Sequence, residues 1–408
     1  MNLGFSGNAN SKFAIRNQKN DRMIKLTNIM LILLLASSSC KANPEDEPKK
    51  TGSQLSIQWD KNTLKCVADE GGYPRMHRLN DGSLMIAYEN RRGDVVIAKS
   101  SDKGFTWSDT VRVFSHFQYA DNQNRLSCRV NVANPEFIQL PNNDILLACN
   151  LRPDKDEVFP FTIALKRSTD NGKTWSPPVT LYEAAPRFSD GCWEPAFLLL
   201  PNGTLQVYFA NENPYQNSNE QEISMLSSVD GGFIWTKNPQ QVSFRANSRD
   251  GMPVPVIREN SIYAAIEDNG FEQFKPFIVK TSIADNWKDP VLANSSNRYA
   301  ALQKPLPATV YAGAPYLIHT SGGYFVLSYQ TTENRTSNWE NSTMEVVISK
   351  TGTNFQSPSQ PFNVPLGKEA KWNSLTDLGN GHIAAVSSTN FNSSTIGVWI
   401  IKGEIIKK

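Results

Sequence analysis

The sequence predicts an all-β chain folded as a six-bladed β-propeller, and three observations carry that prediction. A short phrase, Ser-x-Asp-x-Gly-x-x-Trp, occurs three times: Ser100 to Trp107, Ser168 to Trp175 and Ser228 to Trp235. Six longer segments follow one plan of Pro marker, apolar strand, Asn/Gly turn and second strand. Their marker positions, 74, 135, 195, 253, 315 and 373, lie about sixty residues apart, which suits four strands and their loops. No stretch shows the 3.6-residue periodicity of an amphipathic helix.

The short phrase has a mechanical reading. Its Asp bonds nearby backbone amides, its Gly takes a conformation that a Cβ would forbid, and its Trp plugs the sheet edge below. It falls late in each unit, between the third and fourth strands. Units four and five carry eroded versions, Thr281 to Trp287 and Ser349 to Gly352. The hairpin turns are of the Asn/Asp-Gly kind, as in Asn80-Asp81-Gly82, Asn202-Gly203 and Asn380-Gly381. The sixth unit, Trp372-Asn373-Ser374 to Val386, lacks the marker Pro. The strand around Leu55–Trp59 is expected to complete this last blade and close the ring, which removes exposed sheet edges.

Residues 1–40 read as a secretory signal: a short basic start at Met23-Ile24-Lys25, the apolar run Ile29 to Ala36, then Ser37-Ser38-Ser39-Cys40. The run is too short for a comfortable membrane span. Small residues before Cys40 resemble a bacterial lipoprotein box, which implies lipidation of Cys40 and an outer-membrane or cell-surface location, the periplasmic face included. Residues 41–54 read as a flexible tether, and 55–408 as the propeller. A net charge of +2 gives no reason to expect nucleic acid, and membrane contact is expected only through the lipid anchor. Cys66, Cys128, Cys149 and Cys192 leave several pairings open. His and Cys are not clustered at metal-ligand spacings, so no metal or other cofactor is expected. A monomer is expected.

A propeller gathers the starts of its innermost strands around the axis, so residues flanking each marker should ring one mouth. The pairs are Tyr73/Arg75, Asn134/Glu136, Glu194/Ala196, Met252/Val254, Ala314/Tyr316 and Trp372/Ser374. Two carboxylates stand out. Glu194 opens an inner strand and Glu267 closes a second strand, both beside apolar stretches where an unpaired charge is expensive. Such a pair is the usual equipment of glycoside hydrolysis. Tyr73, Trp193, Tyr316 and Trp372 could stack on sugar faces, and Arg75, Asp94, Asn134, Arg249 and Asp250 could bond hydroxyls. His77 reads as a packed or hydrogen-bonded core residue.

The short phrase resembles the Asp-box repeat of sialidase-like propellers. Within that group two families are similar. Sialidases share Arg75 at the first marker, Asp94 where their acid/base Asp stands, and Glu194 where a Glu assists their Tyr nucleophile. They also grip the sugar carboxylate with three Arg. Here Phe209 to Glu212 lacks the second, and Ile262 to Ser282 contains no Arg for the third. The exo-α-1,5-L-arabinanases of glycoside hydrolase family 93 resemble the chain over nearly its whole length after the signal. The likeness is closest at Tyr73 to Met76, Trp193-Glu194-Pro195, Arg249 to Pro253 and Ile266-Glu267-Asp268. That resemblance implies a retaining exo-glycosidase acting on an oligo- or polysaccharide, with Glu194 as nucleophile and Glu267 as acid/base. The alternatives are an exo-α-sialidase or sialidase-like hydrolase of another sugar, and a surface glycan-binding propeller without turnover.

Overall fold

A computed structural model describes residues 55–123 and 125–407; the signal, Cys40 and the tether lie outside the described residues. Six sheets, antiparallel but for one added strand, form the blades. Blade 1 holds Gly72–Arg78, Leu84–Glu89, Val95–Ser100 and Val111–Phe114, and blade 5 holds Ala312–His319, Phe325–Thr331, Thr343–Ser349 and Gln356–Ser359. Blade 4 runs Asp250–Arg258, Ser261–Asp268, Lys275–Ser282 and Arg298–Ala300. Two blades exceed the expected four strands. Phe117–Ala120 pairs with the inner strand Ser127–Gln139 of blade 2, and Val291–Leu292 pairs in parallel with Gln240–Phe244 of blade 3.

Blade 6 combines Ala370–Gly379, His382–Thr389 and Gly397–Lys407 with the N-terminal strand Leu55–Ala68. The closing strand is longer than expected and breaks register after Asp60. The core lies between adjacent blades, where alternate residues of facing strands interdigitate. Each box Trp is packed there: Trp107 between blades 6 and 1, Trp175 between 1 and 2, Trp235 between 2 and 3.

The box turns form as their sequence requires. Asp102 accepts from the N–H groups of Phe105 and Thr106 at 3.0 and 2.9 Å, and the Thr106 hydroxyl donates to it at 2.6 Å. Asp170 repeats the arrangement with Thr174, and Asp230 repeats its backbone part with Phe233 and Ile234. The eroded copies still turn on a Ser: Ser282 donates to Asp285, and Ser349 accepts from the Gly352 N–H. All follow the ends of third strands, at the opposite face from the inner-strand starts.

At those starts the structure adds something the repeat pattern did not disclose. Tyr73, Asn134, Glu194, Met252, Ala314 and Trp372 all have positive φ, between 49° and 56°. Each sits in a β-bulge, where the register skips between Gly72 and Arg75 and at the five equivalent places. Left-handed backbone at a non-Gly residue costs on the order of 1 kcal/mol or more. A bulge also breaks the alternation of faces, so the simple expectation that marker residues two apart share a face does not hold.

Candidate active site

The bulges expose the N–H of the residue before each marker to the neighbouring blade, and for five of the six a side chain near the end of that blade's second strand accepts the bond. Ser388 takes the Tyr73 N–H at 3.2 Å, Glu89 that of Asn134 at 2.7 Å, and Asn150 that of Glu194 at 2.9 Å. Glu267 takes the Ala314 N–H at 2.7 Å, and Gln330 that of Trp372 at 2.9 Å. Between blades 3 and 4 the Met252 N–H instead meets the carboxyl of Glu194. Glu194 and Glu267 therefore lie on consecutive blades and hold consecutive marker amides.

Glu194 and Glu267 are both partly buried. Burial is the first cause that pushes each up to about 7. The charge of Glu267 pushes Glu194 further up, while Arg152, the Met252 N–H and Arg75 pull it back. The Ala314 N–H and Arg249 pull Glu267 down. Two glycines make the room: a Cβ on Gly251 would stand 2.9 Å from Glu267 Oε1, and one on Gly313 would stand 2.5 Å from Oε2. The pocket beside Glu194 is lined by Tyr73, Arg75, Glu136, Met252 and Val254.

A charged network across the axis forms the floor. Arg75 donates to the carbonyls of Trp372 and Asn373, both at 3.2 Å, and its Nε lies 3.5 Å from Glu136. Its guanidinium stacks 3.9 Å from the Tyr73 ring and 5.1 Å from that of Tyr316. Glu136 also meets His77 Nε2 at 2.7 Å and the Tyr316 hydroxyl at 3.3 Å. His77 is thus hydrogen-bonded within the floor, as its sequence context suggested.

Several proposed sugar contacts are committed elsewhere. Asp250 is fully buried; Arg298 Nη1 and Nη2 donate to it at 2.8 and 2.5 Å, and Arg298 also binds Asp268. Its carboxylate has no access to a ligand, so the sugar role given to it is corrected to a structural one. Asp94 is likewise turned into its blade, accepting from the backbone and ring of His116 at 2.9 and 2.7 Å beside Arg112. Burial opposes its ionisation, but these partners hold it below the usual carboxylate range. Trp193 is a core residue packed on Phe161 and Phe188 at 5.0 and 4.9 Å, with its indole N–H directed to Glu212. Tyr316 is spent on the floor. Asn134 remains on the ring with its side-chain oxygen buried and unpaired. Trp372 stays half-exposed at the rim, 5.9 Å from Tyr73 and 6.2 Å from Trp339.

Arg75 and Arg152 both act on Glu194, and Arg249 acts on Glu267. Arg129 bonds Asn131 and the Arg92 carbonyl, and Arg249 bonds Glu212 and Gln221. Sequence reasoning missed three participants. Arg152 lies over Trp193 at 5.1 Å and acts on both Glu89 and Glu194. Glu89 is the other acidic latch, pushed up by burial. Tyr311 accepts from Gln330 at 2.9 Å, and burial first, then the charges of Glu267 and Glu194, raise its hydroxyl well above the usual tyrosine value. The signal for Tyr311 was its place four residues before the marker at 315, where no other unit has a Tyr.

No protein-family model matches the chain, and no curated protein matches it in sequence. Solved structures do. An α-L-arabinofuranosidase from Fusarium graminearum, held with an iminosugar inhibitor, is 17% identical with a TM-score of 0.61, covering 85% of this chain and 97% of that one. An α-L-arabinanase from Penicillium chrysogenum complexed with arabinobiose is 18% identical at 0.60, over 85% and 98%. The NanB sialidase of Streptococcus pneumoniae is 13% identical at 0.58, over 88% and 71%. The chain is a sialidase-like six-bladed propeller, the fold common to these glycosidases.

Proposed function

We propose that the chain is a retaining exo-glycosidase acting on α-1,5-L-arabinan-type furanoside chains, with Glu194 and Glu267 as its catalytic pair. The observation that carries the reading is this pair itself: two carboxyls on consecutive blades, each pushed to about 7. Poised acids of this kind are what proton transfer at neutral pH requires. One carboxyl protonates the leaving glycosidic oxygen while the other, ionised, attacks the anomeric carbon and forms a glycosyl-enzyme. The first then takes a proton from water, which attacks the same carbon and frees the sugar.

The family resemblance supports Glu194 as nucleophile and Glu267 as acid/base. One observation favours the reverse order: the negative charge of Glu267 favours the protonated form of Glu194. Leaving-group dependence separates the two. Replacing the acid/base by Gln spares aryl glycosides, whose leaving groups need no proton, and added azide restores turnover. Replacing the nucleophile does neither.

A neutral sugar suits the mouth better than a sialoside. Arg75 is occupied by carbonyls and Glu136, and Arg129 and Arg249 are bound by other protein groups; Arg152 acts on Glu194 as a single further cation, short of the set of bidentate clamps that a buried carboxylate needs. Export and a lipid anchor on Cys40 belong to the same proposal, on the sequence alone. The deciding assay follows products released from linear arabinan, branched arabinan and sialyllactose. Arabinose or short arabino-oligosaccharides are the expected products; release of sialic acid alone would overturn the reading.

A further inference from the structure

The third box turn departs from the other two in a way that folding does not explain. In the first two, a Thr hydroxyl donates to the box Asp at 2.6 Å. In the third, Ile234 takes that place, the hydroxyl bond is lost, and Ile234 is 74% exposed. Phe233 beside it is 68% exposed and Val229 is 86% exposed. Three large apolar side chains within six residues thus project into solvent from one turn. The first box turn exposes only Phe105, at 49%, and elsewhere residues such as Phe271 and Leu366 are exposed one at a time, as is ordinary on protein surfaces. A contiguous apolar tip marks an interaction site.

The tip is held rigid. Asp230 accepts from the N–H groups of Phe233 and Ile234, both at 3.0 Å, and the Trp235 indole N–H binds the Gly232 carbonyl at 3.1 Å. The Arg167 guanidinium covers one side of the Phe233 ring at 4.0 Å and binds Asp144 and the Gly231 carbonyl. Insertion into an apolar phase would therefore cost little ordering entropy.

The course of the chain names the occupant. Leu55 pairs with Lys407 at the end of blade 6 that carries the turn before His382, so the polypeptide preceding Leu55 joins the propeller on the box face. Upstream in sequence stand fourteen residues, Cys40 and the apolar run 29–36; fourteen residues can span up to about 50 Å. Blade 6 and blade 3 face each other across a six-membered ring. Leu55, where the described chain begins, thus lies on the same face as the apolar tip, on the opposite side of the axis.

We propose that Val229, Phe233 and Ile234 form a bilayer-docking tip that seats the box face on the lipid surface and turns the mouth with Glu194 and Glu267 away from it. The inference rests on the proposed N-terminal anchor and not on the hydrolytic reading. The test uses the full chain bound to phosphatidylcholine vesicles, with Phe233→Trp as the probe and lipids brominated in the acyl chain as quencher. Leu126→Trp, on the hairpin overhanging the opposite face, is the control. Quenching gained over the parent chain, whose nine Trp set the background, should be at least threefold larger for Phe233→Trp than for Leu126→Trp. Adding Ile234→Asp to Phe233→Trp should remove the excess while flotation through the N-terminal segment persists and the melting temperature holds. Equal quenching at both positions overturns the proposal. So does failure of the chain to float with vesicles, or a self-association in sedimentation that Ile234→Asp dissolves without any change in quenching.

Discussion

Replacing Glu267 by Gln should stabilise the protein above neutral pH while removing most of its activity. The carboxyl is pushed from 4.5 to about 7, with burial the first cause. Such a group binds more protons in the folded than in the unfolded chain between those two pH values. Stability therefore falls as pH rises through that window and is flat above it. At roughly 1.4 kcal/mol per pKa unit, holding Glu267 ionised costs about 3 kcal/mol. A neutral amide escapes that cost and can still accept the Ala314 N–H. For a domain of about 350 residues, an unfolding entropy near 2.1 cal/mol/K per residue makes each degree worth about 0.7 kcal/mol. The variant should then melt roughly 4 °C above the parent at pH 8 and level with it at pH 4, by scanning calorimetry of both proteins. A variant that melts no higher at pH 8, or whose advantage persists unchanged at pH 4, refutes the claim that the folded state resists this charge.

The remaining predictions test the pair and its support. Glu194→Gln and Glu267→Gln should each lower kcat on arabinan by at least about a thousandfold, with circular dichroism unchanged; near-parental turnover in either removes that residue from the mechanism. Because the charge of Glu267 raises Glu194, Glu267→Gln should bring Glu194 below about 7, read by carbon NMR of labelled carboxyls; an unmoved titration refutes their coupling. Asp250→Asn leaves Arg298 facing one fewer charge in the buried network with Asp268, and should destabilise by about 3 kcal/mol or more in urea unfolding. Gly313→Ala places a methyl group against Glu267 and the Tyr311 hydroxyl, each 2.5 Å away, and should depress kcat far more than it changes the urea midpoint.

Much of the fold was legible because its signals are local. Ser100, Asp102 and Gly104 make their turn among themselves, so three copies of that grammar locate three blades without any knowledge of the rest. The marker prolines set the spacing, and Leu55 with its apolar alternation anticipated closure. The fifth strands in blades 2 and 3 were hidden because Phe117–Ala120 and Val291–Leu292 are too short to show a period. Within the site, Glu194 and Glu267 could be found as carboxyls in apolar settings. Asp94 and Asp250 looked the same in sequence and proved to be ion-paired, since His116 and Arg298 are distant along the chain. Trp193 failed as a sugar platform for a related reason: its partners Phe161 and Phe188 come from the preceding blade and connection.

The bulged ring joins stability to the chemistry. Left-handed backbone at six non-Gly positions is a cost the sequence could have avoided with glycine, and in return each bulge turns a marker amide toward the neighbouring blade. Neutral side chains suffice as acceptors for three of these amides: Ser388, Asn150 and Gln330. A carboxylate in such a position adds a desolvation cost without adding a better-placed bond, as the elevation of Glu267 to about 7 records. Gln at 330 holds its amide at 2.9 Å where Glu at 267 holds its own at 2.7 Å. Latching alone therefore does not account for an acid at 267, nor for Glu194 reaching the Met252 amide beside it. Local cost without structural gain is expected where function has claimed the position. Of the three acids that hold such amides, Glu89 stands apart on blade 1, whereas Glu194 and Glu267 fall on consecutive blades, each within the field acting on Tyr311, and this is the strongest physical reason to propose the reaction between them.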